Sequence, residues 1–349
     1  MKNLSNFLLL IALIFMNISA SAQSGHIHTV AGGGTLSIDG IPATNAKIGV
    51  TTGITVDASG NIYVLDSIFR VKKIDRSGII TRIGGGGALK VDGVPATSAD
   101  LQPRGLCVDG YGNLFFSDSA DRLRKIDATS GIITTAAGNL GLGYHGDGGP
   151  ATATGATGCG FRNAKDVCID QAGNLYIADD VRVRKIDAAT GIITTIAGNG
   201  IMPSVVTDGV PATSTTVEAS NVCVDAAGNV YVASDNGHRI RKIDPSGIIM
   251  TIAGNGSGGY TGDGGPGTAA EVGHPTDITC DINGNIYIGQ RIGGVVRRVD
   301  AFTGVITTAT GAGTTTAEYA SPSCTDIPSG MGQLAADAKG DIFYADNRG

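Results

Sequence analysis

From about residue 50 the chain is written in short apolar runs separated by small polar residues. The runs are rich in Val, Ile, Thr and Tyr and are fenced by Gly, Asp and Asn. In one stretch they read DVCID (166–170), NLYIAD (174–179), VRVRKID (181–187) and GIITTIAG (191–198). β-branched and aromatic residues in runs this short suit a pleated, half-buried surface. Nothing of comparable strength repeats at helical spacing, so the pattern predicts strands joined by tight turns.

The pattern is also periodic. The motif D-x-x-G-N recurs at Asp57, Asp109, Asp170, Asp225 and Asp281, with a variant at Asp337, in steps of 52, 61, 55, 56 and 56 residues. An aromatic follows each, at Tyr63, Phe115, Tyr176, Tyr231, Tyr287 and Phe343. Then come a basic run, such as LRKID (123–127) or IRKID (240–244), and a run of the GIITTIAG type. Each unit therefore predicts a four-stranded antiparallel meander. One such sheet cannot bury both faces alone, whereas copies packed around an axis can, which is a β-propeller. The Asp of D-x-x-G-N is read as a turn acceptor and its Gly as a positive-φ position; calcium ligation by single carboxylates is the weaker account.

The series G-N-(I/L/V)-(Y/F)-(V/I), H-R-I-R-K-I-D and G-I-I-T-T-I-A-G, best seen at 228–254, resembles the NHL repeat. The resemblance covers 26–349. It implies an all-β, six-bladed propeller of four-stranded antiparallel blades. HIHTVAG (26–32) matches a fourth strand, while the sixth unit supplies only two strands, so the last blade is expected to be incomplete and closed by the N-terminal strand. The sequence is accordingly read as truncated at its C-terminus. The fold says little about function, because this repeat carries many roles.

Lys2, the apolar run 7–16 and Ala20-Ser21-Ala22 predict a signal peptide over 1–22, leaving one propeller domain over 23–349 with no membrane span. The expected location is secreted, cell-surface or periplasmic. With 25 Lys+Arg against 31 Asp+Glu, the net charge of −6 argues against nucleic acid. The alternating basic strands are read as solvated, with local ion pairs. Gly at 55 of 349 residues fits many tight turns. Of six cysteines, Cys107, Cys168 and Cys223 occupy one repeat position and should be too far apart to bridge. They are read as small buried apolar residues. Cys159 and Cys324 lie in inter-unit loops.

A second motif lies between units: DGIPAT (39–44), DGVPAT (92–97), DGGPAT (147–152), DGVPAT (208–213) and DGGPGT (263–268). It is expected on one rim beside the loops joining strands two and three. Asp-Gly can set a turn and Pro can fix the return. The sharper reading is a ligand rim contacted by Tyr144, His145, Asp147, Tyr260, Asp263 and His274. His238 fills a repeat position, and His26 and His28 are surface residues. No histidine spacing predicts a metal site, and no cofactor is required. Some propellers resembling this one are zinc-dependent lyases, which need several converging ligands. Here Glu218, Glu271 and Glu318 all lie in inter-unit loops, no first strand carries a Glu, and no G-x-S-x-G elbow occurs. The units are nearly identical, whereas an active site should break the pattern inside the channel. The preferred reading is a monomeric, non-catalytic scaffold for a protein or carbohydrate ligand. The alternative is a channel-centred, metal-dependent lyase or hydrolase.

Overall fold

The computed structural model describes residues 29–138, 143–153, 159–202, 206–311 and 333–345. The leader 1–22, His26, His28, Glu318, Cys324 and residues 346–349 lie outside them. No helix among the described residues is long and apolar enough to cross a membrane.

Five antiparallel meanders form the blades. Blade 1 comprises Thr51–Val56, Ile62–Asp66, Val71–Ile74 and Ile79–Gly84. Blade 2 comprises Pro103–Val108, Leu114–Asp118, Arg122–Ile126 and Ile132–Ala137. Blade 3 comprises Ala164–Ile169, Leu175–Asp179, Arg182–Ile186 and Ile193–Ala197. Blade 4 comprises Asn221–Val224, Val230–Ser234, Arg239–Ile243 and Ile248–Ala253, and blade 5 Pro275–Cys280, Ile286–Gln290, Val295–Val299 and Ile306–Gly311. Strands pair in sequence order within each blade. Successive first strands are neighbours around the axis. Apolar residues of one blade fill the space against the next, as where Tyr176 and Ala178 of blade 3 meet Val222, Val230 and Val232 of blade 4.

The turn chemistry is uniform. Asp57 accepts from the Asn61 backbone (2.9 Å), the Asn61 amide (2.7 Å) and the Tyr63 hydroxyl (3.0 Å). Asp170 and Asp225 repeat all three contacts with their own Asn and Tyr. These carboxylates close turns, and the turn reading of D-x-x-G-N holds.

Two expectations are corrected. Among the described residues the ring has five blades, not six. Between blades 5 and 1 stands a two-stranded sheet, Leu334–Ala336 with Ile342–Tyr344. Thr29–Gly32 is not a strand and does not close that sheet. Gly32 N–H does bond Ala43 O (2.9 Å), as Gly85 bonds Ala96 (2.9 Å) after the fourth strand of blade 1. Among the described residues no third strand joins this sheet, so its ladder stops there, because neighbouring strands must lie about 4.8 Å apart to exchange hydrogen bonds.

The basic strands are not simply solvated. Their first basic residue points into the blade: Arg124, Arg184, Arg241 and Arg297 are at most 3% exposed. Only the second faces outward, with Lys73, Lys125, Lys185 and Lys242 lying over the rings of Tyr63, Phe115, Tyr176 and Tyr231. The buried guanidinium explains the inter-unit motif. Arg124 pairs with Asp92 (2.8 Å), Arg184 with Asp147 (2.8 Å), Arg241 with Asp208 (2.9 Å), and Arg297 with Asp263. The motif thus runs down the outer edge instead of gathering on a rim. Its next two residues add a fifth strand in blades 1, 2 and 4, as Ile41–Pro42, Val94–Pro95 and Val210–Pro211. In blades 3 and 5 this shrinks to single bridges at Pro150 and Pro266.

Candidate functional site: the channel and a polar corner

The first strands enclose a cavity of about 220 Å³ on the axis, lined by residues from all five blades and the two-stranded sheet. One repeat position is informative. Four residues before each repeat Asp the chain reads Gly53, Gly105, Asp166, Asn221, Asp277 and Gln333. In blades 3 to 5 this position carries a polar chain that ties adjacent first strands together. Asp166 accepts from Val222 N–H across blades 3 and 4 (3.0 Å). The Asn221 amide donates to Asp277 across blades 4 and 5 (3.2 Å), and Asp277 accepts from Leu334 N–H of the two-stranded sheet.

Both carboxyls are at most 5% exposed. Burial pushes Asp166 up to about 6. Burial, then the nearby Asp166 charge, holds Asp277 well above the usual carboxylate range. A neutral acid beside an amide offers both donors and acceptors, an arrangement suited to hydroxyl-bearing ligands. The sequence reading sought a Glu on the first strands and so passed over these residues. The available signal was Gly giving way to Asp, Asn and Asp at one register. Gly105 is part of the same packing, since a Cβ there would meet Asp166 Oδ1 at 2.2 Å and its Cα at 2.5 Å. Gly105→Ala is expected to cost about 1–3 kcal/mol by overpacking. Gly110→Ala, where a Cβ meets nothing within 4 Å, should change the urea midpoint little.

On the face of the loops joining strands two and three, blades 4 and 5 form a polar corner. His274 precedes the first strand of blade 5, and its Nδ1 lies 2.9 Å from Asp235 Oδ1. Its ring meets that of His238 edge-on, with centroids 4.6 Å apart. His274 N–H donates to His238 Nδ1 (3.2 Å), which places the His238 proton on Nε2. The Asp235 carboxylate accepts from Nδ1 of His274, which leaves Nε2 to face a ligand. Burial, then the neighbouring imidazole, lowers the His238 pKa. Both histidines have positive φ, 52° and 49°, a region that non-Gly residues rarely occupy. Arg291 reaches Asp235 from blade 5 (3.5 Å).

The six sequence-nominated residues divide into groups. Tyr260, 45% exposed, packs its ring against Gly293 in the loop after Arg291, and its neighbour Gly258 borders His238. Tyr260 and His274 therefore share the corner. Tyr144, His145 and Asp147 form a separate cluster on blade 3. There the Tyr144 hydroxyl bonds Asp147 and Thr195, and its ring lies under Arg182 and Arg184. The His145 carbonyl accepts from Arg184 (3.3 Å). Asp263 lies on the outer edge of blade 5, where it holds Arg297 and accepts from Thr308 N–H (2.9 Å). Among the described residues, no cluster of three or more His, Cys, Asp or Glu is arranged to hold a metal.

This architecture makes the chain a β-propeller protein. No family model and no curated protein matches it. An auxiliary nutrient binding protein from Bacteroides thetaiotaomicron superposes with a TM-score of 0.65 at 14% identity, over 91% of this chain and 73% of that one. A second protein so described, from Bacteroides ovatus, gives 0.61 at 14% identity, over 92% and 74%. A Bacteroides thetaiotaomicron protein of unknown function gives 0.63 at 16% identity, over 92% and 73%. At such identities the likeness is one of fold.

Proposed function

We propose that this chain is an exported NHL-type propeller that binds a polar, hydroxyl-rich nutrient such as a saccharide, without transforming it. The carrying observation is the difference between its two faces. The face with the D-x-x-G-N turns repeats nearly unchanged from blade to blade. The opposite face diverges at blades 4 and 5, where an exposed aromatic, two imidazoles, a carboxylate and a guanidinium come together. In this reading Tyr260 supplies a flat apolar platform and His274 Nε2 and Arg291 bond hydroxyls, on a rigid scaffold. The nutrient-binding descriptions of two fold neighbours support the class of function.

The test is calorimetric titration of the purified protein with a panel of soluble oligosaccharides. For any sugar that binds, Tyr260→Ala with His274→Ala should weaken affinity at least about tenfold, a loss of roughly 1.4 kcal/mol, at unchanged melting temperature. Binding indifferent to this pair would refute the corner as the site. Turnover of a bound sugar would refute the non-catalytic reading.

A further inference from the structure

The channel wall holds a thiol pair that the repeat pattern conceals. Cys107, Cys168 and Cys223 stand two residues before their repeat Asp, so each points forward to the next blade. Thus Cys107 packs among blade 3 residues and Cys223 among Ile278 and Ile286 of blade 5. Cys280 stands one residue before Asp281. Side chains alternate along a strand, so this shift of one residue turns it to the opposite face. Cys280 therefore points backward, into the same interface that Cys223 enters from the other side. Its Sγ donates to the carbonyl of Val224, the neighbour of Cys223, at 3.2 Å. Both side chains pack in the one cluster that fills the interface between blades 4 and 5. At the preceding interfaces the backward-facing residue is Ile169 or Val224, and no such pair exists.

We infer that Cys223 and Cys280 are a disulfide site, which oxidation closes to lock the first strands of blades 4 and 5 together beside the channel. The coreactant is a low-molecular-weight disulfide. Cys280 borders the cavity and is the more exposed of the two. Its thiolate attacks the reagent, forming a mixed disulfide and releasing one reagent thiolate. The Cys223 thiolate then attacks the Cys280 sulfur and releases the second. Each protein thiol loses one proton, the reagent gains two electrons, and one protein S–S bond results. Burial holds the Cys223 thiol well above its usual range, which makes the second step slow.

The full chain, first reduced, is incubated with the linear disulfide cystamine, then alkylated and mapped by mass spectrometry. The expected product is a monomer lighter by two hydrogens with a Cys223–Cys280 cross-linked peptide. Its melting temperature should rise by roughly 5 °C or more, because the bond closes a long loop. Cys280→Ser should abolish both changes, while Cys107→Ser should leave both intact. Reduced thiols at both positions after prolonged oxidation would overturn the inference. So would a cross-link joining either residue to Cys168 or Cys324 instead. If the mixed disulfide accumulates at Cys280 without closing, the sulfurs do not meet and the inference fails.

Discussion

Arg184→Ala is expected to destabilise the propeller by about 3–5 kcal/mol, because it leaves the buried Asp179 without its cation and frees the strap carboxylate Asp147. Arg184 is fully buried. It binds Asp147 through Nε (3.1 Å) and Nη2 (2.8 Å), approaches Asp179 at 3.7 Å, and donates to the carbonyl of Gly160 (3.2 Å). The Tyr144 ring covers it with a centroid distance of 4.5 Å. Removing the side chain also opens a cavity between blade 3 and its inter-unit strap. Asp179, itself 1% exposed and already raised by burial, would remain with its charge uncompensated. The neighbouring Lys185→Ala removes only a half-exposed cation over Tyr176 and should cost about 1 kcal/mol or less. Urea denaturation of the two variants separates these outcomes. Equal losses would mean that the buried arginines do not hold the straps to the blades.

The second large effect is a loss of stability as pH rises through the mildly acidic range. Asp166 and Asp277 are pushed up in the folded protein, so between about pH 4 and 6 the folded state binds more protons than the unfolded chain. Stability must then fall with increasing pH. For Asp166 the fall begins near the usual carboxylate value of 3.8 and ends just above 6. A displacement of this size corresponds to roughly 3 kcal/mol. Asp277 extends the fall to higher pH. Turn carboxylates such as Asp57 and Asp187 are lowered by their hydrogen bonds and act in the opposite sense, losing their contribution only below about pH 4. Thermal stability should therefore peak near pH 4–5. Asp277→Asn should flatten the decline and exceed the wild-type melting temperature at pH 8, since its amide oxygen can still accept from Leu334. An unchanged pH profile in this variant would show that the channel carboxyls carry no linked proton.

The strand order and turn chemistry were legible in the sequence because both are local. Asp57, Gly60 and Asn61 close a turn within five residues, and Val, Ile and Tyr mark strands wherever the blade lies. The site was less legible. Tyr260 and His274 could be nominated as loop residues, but Asp235 and His238 share a loop of blade 4, Arg291 comes from blade 5, and only blade packing joins them. Asp166, Asn221 and Asp277 were hidden by their position within strands, where a single polar residue has several structural uses.

Side-chain periodicity and turn residues, which act over a few positions, are enough to specify an all-β chain of repeated meanders. Packing decides that five blades form among the described residues, that a two-stranded sheet stands between the last and the first, and that the straps at Asp92, Asp147, Asp208 and Asp263 each neutralise a buried arginine. It also decides which face each cysteine enters. The physical reason is that ladder completion, charge burial and inter-blade contact join residues roughly thirty to sixty positions apart. Nothing in the local pattern fixes which of them meet.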